Sequence, residues 1–293
     1  MIANPAARGE RASRFFEHLD ALAVGCTFKP TAARGDARSL AAEAVGEGFD
    51  TIVAAGGDGT VNEVVNGIAD APGGLERTRL AVLPLGTANV FAKELGLPRS
   101  WRRAWRVVAA GRERAIDVAV ADFRSDAGER CRRCFVQMAG AGWDSAAIEL
   151  VDRERKKRLG WLAYVVAGLE ALRGELPDVT VRDGTRSVTG KQVLIGNGRY
   201  YGGRYRLFPR ADMSDGLLEV VVFPRIDWPT VVRFGLGLAT GRLHRWTGAV
   251  QFRAERVELE SAGEPMLEVE GENVGRLPAE IVVEPRRLRV VVP

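Results

Sequence analysis

The sequence is short of histidine. Only two occur in 293 residues, His18 and His244. His18 falls in an amphipathic helical pattern and His244 in the basic stretch GRLHRW, and neither neighbours a nucleophile motif. That argues against Ser-His-Asp and Cys-His chemistry and directs the search for a general base to the carboxylates. Cysteine is also scarce, with three in all. Cys131 and Cys134 form one CxxC in ERCRRCFVQ, but a zinc site needs a second ligand pair and Cys26 is the sole other thiol. Two reduced thiols at a strand start is the expectation. No apolar run approaches the ~20 residues that span a bilayer. The start, MIANPAARGERASRFF, lacks an apolar stretch of signal-peptide length, so a cytoplasmic protein is expected. No motif for RNA or DNA is present, nor a basic stripe with interleaved aromatics, so nucleic acid is not an expected partner.

The remaining composition is that of a soluble globular chain, 46% hydrophobic and 27% charged. Its length suits one large domain or two medium ones. A net charge of +4 and a pI near 9.2, arising mostly from arginine, suit phosphate groups or an anionic membrane surface.

The first ~117 residues alternate helix and strand patterns. Ala12, Phe15, Phe16, Leu19 and Leu22 recur at helical spacing; CTFKPT is a short strand; DARSLAAEAVGEG is a helix with Asp36 as its cap. TIVAAG and RLAVLPL have the length and apolarity of buried strands. Val61, Val64, Val65 and Ile68 repeat at three, four and seven. This predicts an α/β domain with a parallel sheet covered on both faces, which binds ligands at the carboxyl ends of its strands. From AIDVAVAD onward strand patterns dominate, with helical stretches near 144–173 and 227–241 and a hairpin turn at Asp183-Gly184. A second, mainly antiparallel β domain is expected. The boundaries read 1–117 and 118–280, with the closing strands, about 281–293, as candidates to return to the first domain.

TIVAAGGDGTVNEVVNG joins a buried strand to a helix through a glycine turn. Thr60 and Glu63 have capping-box spacing and are expected to start the helix. Gly56, Gly57 and Gly59 let backbone N–H groups approach an anion at the helix N-terminus. A carboxylate, Asp58, is out of place beside a bare anion. It fits a phosphate that arrives with Mg²⁺, which takes oxygen ligands and bridges phosphoryl oxygens. LAVLPLGTANVFAKELGLP repeats the logic at Gly86-Thr87, and two such turns after neighbouring strands can pinch one polyphosphate.

GGDGTVNEVVNG followed by PLGTANVFAKELGLP resembles the diacylglycerol kinase catalytic domain family, which includes bacterial lipid kinases and sphingosine kinases. ANPAARG, TAARGDA, AIDVAVAD, IGNGRYYGGRYRLFPRADMSDGLLEVVVF and VEGENVGRLPAEIVVEPRRLRVVVP extend the likeness along nearly the whole chain. GGDGT alone is shared with NAD kinases and phosphofructokinase-like folds; its combination with PLGTAN and the C-terminal acidic motif is more specific. The resemblance implies an NAD kinase/phosphofructokinase-like first domain and a kinase that uses ATP and Mg²⁺ to phosphorylate a lipid. The nucleotide-binding positions it implies are Asn4, Thr31, Gly56, Gly57, Asp58, Gly59, Thr60, Val61, Asn62, Glu63, Gly86, Thr87 and Asn89. Asp58 would serve the catalytic Mg²⁺ with Asp117 in support, and Glu272 would take the proton of the lipid hydroxyl beside the acidic Glu270. A structural Mg²⁺ would lie on Asp212, Asp215 and the carbonyl of Leu217.

Two departures stand out. Val90 replaces an aspartate that is common in the family, as in sphingosine-kinase-like members. Glu270 opens the C-terminal motif in place of the usual aspartate, moving its charge by ~1 Å. Lipid at a membrane surface is the expected partner, with peripheral contact through the basic start of DRERKKRLGWLAYVVAGLEALRG or through GRLHRW. A homodimer stays open. The alternatives are an NAD kinase-like enzyme, or a nucleotide- or lipid-binding module without turnover.

Overall fold

The computed structural model describes residues 1–5, 10–18, 25–150, 167–168, 170–203, 205–240 and 247–293. Leu19, Leu22, His244, the GRLHRW stretch and the basic start of the 152–174 segment lie outside the described residues.

The chain opens with β1 (Ile2–Ala3), α1 (Glu10–Phe16), β2 (Lys29–Pro30) and α2 (Asp36–Gly46). Then come β3 (Thr51–Gly56), α3 (Asp58–Asp70), the single turn α4 (Gly74–Arg77) and β4 (Arg79–Pro84). β1 pairs in parallel with β2 and β3, and β3 with β4. Successive strand residues face opposite sides. Ile52, Ala54, Leu80 and Val82 pack with Ala41, Val61, Val64, Val65 and Ile68 of α2 and α3. Val53, Ala55, Ala81 and Leu83 pack with Phe15 of α1 and with Trp101 and Ala104 on the other face. Both faces are dry, which is why the strands read as apolar runs without alternation. Full burial of Val64, Val65 and Ile68 stabilises the packing of α3 by roughly 1.5–3 kcal/mol per side chain.

α5 (Val90–Glu94) and α6 (Trp101–Ala110), which carries Trp101 and Ala104, lead to β5 (Glu113–Arg124). Next are β6 (Arg130–Phe135), β7 (Met138–Gly142), α7 (Trp143–Leu150), β8 (Val179–Arg182), β9 (Ser187–Gly190) and β10 (Gln192–Gly196). The short strands β11 (Tyr200–Tyr201) and β12 (Tyr205–Arg206) precede β13 (Leu218–Phe223) and α8 (Trp228–Thr240). β14 (Val250–Ala254), β15 (Arg256–Glu260), β16 (Met266–Val269) and β17 (Glu272–Val291) close the chain. The strands β14, β13, β10, β7 and β16 form one antiparallel layer. β8, β15, β17, β5 and β6 form the facing one. Val193, Ile195, Val220 and Val222 meet Ala119, Ala121, Ile281 and Val283 between them. This is a β sandwich. The Asp183-Gly184 turn joins β8 to β9, with Gly184 at φ 89° and the Asp183 carboxylate accepting from the N–H groups of Thr185 and Arg186.

The boundary read at 117/118 falls inside β5, because β5 does not end where the sheet changes. It pairs with β17 from Glu113↔Val291 to Arg124↔Arg276. β17 likewise starts beside β16 in the sandwich and finishes parallel to β4, with Arg289 opposite Arg79 and Val290 opposite Leu80. Two strands thus run through both domains.

Candidate active site at the carboxyl ends of the parallel strands

Because β1 to β4 are parallel, their carboxyl ends share one edge. Asn4, Thr31, Gly57 and the Leu85-Gly86 step follow those ends directly. The two glycine turns touch. The Leu85 and Gly86 N–H groups both donate to the Gly56 carbonyl, at 3.0 and 3.2 Å. A Cβ added to Gly86 would lie 2.5 Å from the Gly57 Cα, and one on Gly56 would strike the Thr60 side chain. Gly86 is therefore required by contact between the turns and Gly56 by the Thr60 side chain of its own turn, whereas a Cβ on Gly57 would lie 3.4 Å from the Gly86 Cα, an ordinary contact. Gly59 differs: it is exposed, a Cβ there would meet nothing, and its φ is not positive. The fold makes no demand for glycine at 59, so that position is open to serve a ligand.

The expected capping box does not form. α3 starts after Gly57, whose extended backbone offers no side-chain cap. Glu63 instead reaches across to α2 and accepts from the N–H groups of Gly35 and Ala37, at 3.0 and 3.2 Å. It caps the neighbouring helix rather than its own. Asp36 is not the cap of α2 either; its Oδ2 accepts from Ala32 and Ala33 N–H, both at 2.7 Å, and closes the loop ahead. Val61 and Asn62 face inward. Val61 is core, and the Asn62 amide, with that of Asn66, donates to the Cys134 carbonyl of β6. Their side chains hold the first domain against the second.

Asp58 is the first residue of α3, and its Oδ1 accepts from Phe91 N–H at 3.1 Å, at the start of α5. Burial raises its pKa above the ordinary value, against the pull of those amides. Glu270 approaches from the sandwich. It sits at φ 54° and accepts from Val136 and Gln137 N–H, both at 2.8 Å. Burial, and then the nearby charge of Asp58, push its pKa up to about 7. Glu272 begins β17, is about a third exposed and pairs with Arg34 at 2.5 Å. The three expected catalytic carboxylates thus converge on one cleft, all of them half-buried. A cavity of about 380 Å³ lies at the opposite edge, lined by Met1, Asp50, Thr51 and Trp105, and none of the site residues reaches it.

Residues 1–121 match the family model described as diacylglycerol kinase catalytic domain, and residues 137–292 the one described as YegS C-terminal NAD kinase beta sandwich-like domain. The diacylglycerol kinase of Bacillus subtilis (strain 168) is 32% identical over 267 residues, 90% of this chain and 84% of its own. The chain belongs to the diacylglycerol kinase and YegS-like lipid kinase family. A Stenotrophomonas maltophilia (strain K279a) protein named "Probable lipid kinase YegS-like" is 33% identical over 88% of this chain and 84% of its own. A solved structure named as a diacylglycerol kinase from Bacillus anthracis str. Sterne covers 100% of this chain and 95% of its own, with a TM-score of 0.70 at 21% identity. A second from the same source reaches 0.79 at 24% identity, covering 100% and 94%. These two establish the fold.

Within that family frame, the carboxylates divide. Asp58 and Glu270 suit a divalent cation: both are half-buried, each lacks an ion-paired Arg or Lys among the described residues, and the charge of Asp58 disfavours ionisation of Glu270. Asp117 does not join them. It is fully buried, and its two oxygens accept from Gly216 N–H at 2.7 Å and Arg286 N–H at 2.8 Å, so it staples the two loops that flank β5. Asp212 and Asp215 are likewise engaged. Asp212 accepts from Ser214 N–H and hydroxyl, which lower its pKa, and Asp215 accepts from Leu217 N–H and pairs with Arg253. The Arg253 guanidinium supplies the positive charge that a second Mg²⁺ would bring, so these residues do not fit a metal as they stand. Cys131 and Cys134 are free, and burial pushes the Cys134 thiol to about 11.

Several residues that join the domains were not among the expected site residues. Glu94 is buried and accepts from Arg199 N–H at 2.9 Å. Lys93 stacks 3.9 Å from the Tyr200 ring centroid. The Asn197 amide donates to the carbonyls of both Asp117 and Val136. The run IGNGRYY, which carries Asn197, Arg199 and Tyr200, was read only as part of the family likeness.

Proposed function

We propose that this chain transfers the γ-phosphate of ATP, with Mg²⁺, to a hydroxyl group of a diacylglycerol-like or sphingoid lipid. The observation that carries the reading is the convergence of Asp58, on the first domain's glycine turn, with Glu270 and Glu272 at the lip of the sandwich. Phosphoryl transfer needs positioning and charge neutralisation more than covalent chemistry, and the residues supply both. The first N–H groups of α3 have no partner within the helix and point at the edge where a phosphate would lie. Gly59 leaves room for it. Asp58 and Glu270 would hold Mg²⁺, which would offset the negative charge of the phosphates.

Glu272 takes the proton of the lipid hydroxyl as that oxygen bonds to the γ-phosphorus. The bond from the γ-phosphorus to the bridging oxygen breaks and ADP leaves. Arg34 pairs with Glu272 and holds its carboxylate at the lip of the sandwich. One observation favours a second reading: a pKa of about 7 suits Glu270, rather than Glu272, to general-base work near neutrality.

One assay tests both. Purified protein is incubated with γ-labelled ATP, Mg²⁺ and micellar diacylglycerol, monoacylglycerol, ceramide, sphingosine or phosphatidylglycerol, beside Glu272→Ala and Glu270→Gln. Labelled lipid from at least one acceptor is expected, and its absence from all would sink the kinase reading. Undiminished label with Glu272→Ala would move the base to Glu270.

A further inference from the structure

α8 is apolar on both sides. Its inner side packs on the sandwich through Phe234, whose ring meets Phe223 at 5.5 Å, Tyr201 at 6.2 Å and Trp143 at 6.5 Å between centroids. Its outer side presents Trp228, Val232 and Leu236, which are 54%, 60% and 45% exposed. The spacing of four places them in one stripe, about 12 Å long over two turns. Large apolar side chains grouped in this way on a surface mark a contact.

The charges beside the stripe choose the contact. Arg225 and Arg233 are exposed, before and within the helix. Asp227, the one acidic residue in the sequence between Val220 and Ala254, is committed to the helix start, where its Oδ1 accepts from Thr230 N–H at 2.8 Å and Thr230 hydroxyl at 2.6 Å. Beyond the helix the sequence adds Arg242, Arg245 and Trp246. Tryptophan and aliphatic residues with arginine alongside are the composition of a helix lying in a lipid–water interface. A second copy of the chain fits less well. A stable dimer buries roughly 800 Å² per partner and twenty or more residues a side, which a stripe of three side chains does not approach.

We propose that the outer face of α8, with Trp228, Val232 and Leu236 inserted and Arg225 and Arg233 at the headgroups, docks this protein on a bilayer that contains anionic lipid. The proposal deepens the lipid-kinase reading and rests on it for its purpose. Phe234 carries the docked helix onto Tyr201, whose hydroxyl donates to the buried carboxylate of Asp144 at 2.9 Å. Docking there sets the sandwich side of the cleft against the membrane from which the acceptor comes.

The test is sedimentation with vesicles of phosphatidylcholine, alone or mixed with phosphatidylglycerol, beside the kinase assay in detergent micelles. The wild type is expected to bind the mixed vesicles and to release with added salt. The double variant Val232→Glu, Leu236→Glu should bind them at least about tenfold more weakly, with micellar activity retained. Arg233→Glu should lose affinity for the mixed vesicles only. Should the double variant fail to fold by circular dichroism, Trp228→Ser and Arg233→Glu carry the test, each replacing an exposed side chain. Wild-type vesicle binding by the folded variants would overturn the proposal. So would a wild-type dimer that the double variant makes monomeric, by light scattering, with vesicle binding unchanged. A wild type that labels no lipid in micelles would sink the kinase reading alone; sedimentation decides the docking face separately.

Discussion

The carboxylate of Asp58 lies close enough to that of Glu270 for its charge to strengthen the hold of Glu270 on a proton. One residue comes from the glycine turn of the α/β domain and the other from the turn that opens the last strand. Two acids pressed together in a half-buried place are unfavourable without a counter-ion, and that is the physical content of the metal assignment.

Asp58→Asn keeps an oxygen to accept from Phe91 N–H and removes the charge. Phosphoryl transfer should fall by roughly a hundredfold or more, and Mg²⁺ binding by titration calorimetry should weaken, with the melting temperature little changed. Activity within a few-fold of wild type would show that the metal is held elsewhere.

Glu270 makes stability depend on pH. Its folded pKa of about 7 stands above the ordinary 4.5. The folded state therefore binds the proton more tightly than the unfolded one. The contribution is fully present below about pH 4.5 and is lost as pH rises through 7, to an extent of roughly 3 kcal/mol. The stability difference between wild type and Glu270→Gln, from urea melts across this range, should follow that curve. Asp58→Asn should shift its upper end toward acid. Excess Mg²⁺ at pH 8 should restore stability to the wild type and not to Glu270→Gln.

The glycines separate by role. Gly86→Ala places a methyl group 2.5 Å from the Gly57 Cα and should lower stability by about 1–3 kcal/mol. Gly59→Ala adds a methyl group in open space at a helical position, so stability should hold or rise slightly while KM for ATP increases. Equal effects in melting and in ATP affinity for both variants would contradict this division.

Glu63→Ala should cost about 1–2 kcal/mol, because it leaves the Gly35 and Ala37 N–H groups at the start of α2 without their acceptor. Glu63→Gln, which keeps one oxygen, should recover part of the loss. Hydrogen exchange at Gly35 and Ala37 should accelerate most in the alanine variant.

The α/β character of the first domain was legible because the runs at 51–56 and 79–84 are apolar on both faces, and the sandwich because its strand patterns come in series. The convergence of Asp58, Glu270 and Glu272 was legible only through motif likeness, since no local pattern links residues so far apart in sequence. Local rules misled where a partner came from another element. Thr60 and Glu63 have the spacing of a capping box, yet Glu63 caps α2, which lies beside it only after α2 and α3 have packed. Asp117 was expected on a metal only through the family likeness, whereas in the fold its oxygens accept from the N–H groups of Gly216 and of Arg286 in β17. Asp215 met Arg253 from β14, a pairing that strand register decides. The exposed stripe of α8 was hidden for a different reason: a helix apolar all round gives a weak period, and only the packing of Phe234 shows which side is left over.

β5 and β17 run through both domains, paired with one another along most of their length apart from register shifts between Arg276 and Glu280 and between Glu284 and Leu288. A cleft bridged by such a ladder is not free to swing like a pair of jaws. It yields by torsion, each strand rotating a little against the next. Glu272 heads the strand whose far end is anchored beside β4. A pull on that anchor, by an appended tag or a shortened terminus, is therefore felt as a turn of the catalytic lip, far from where the chain was altered.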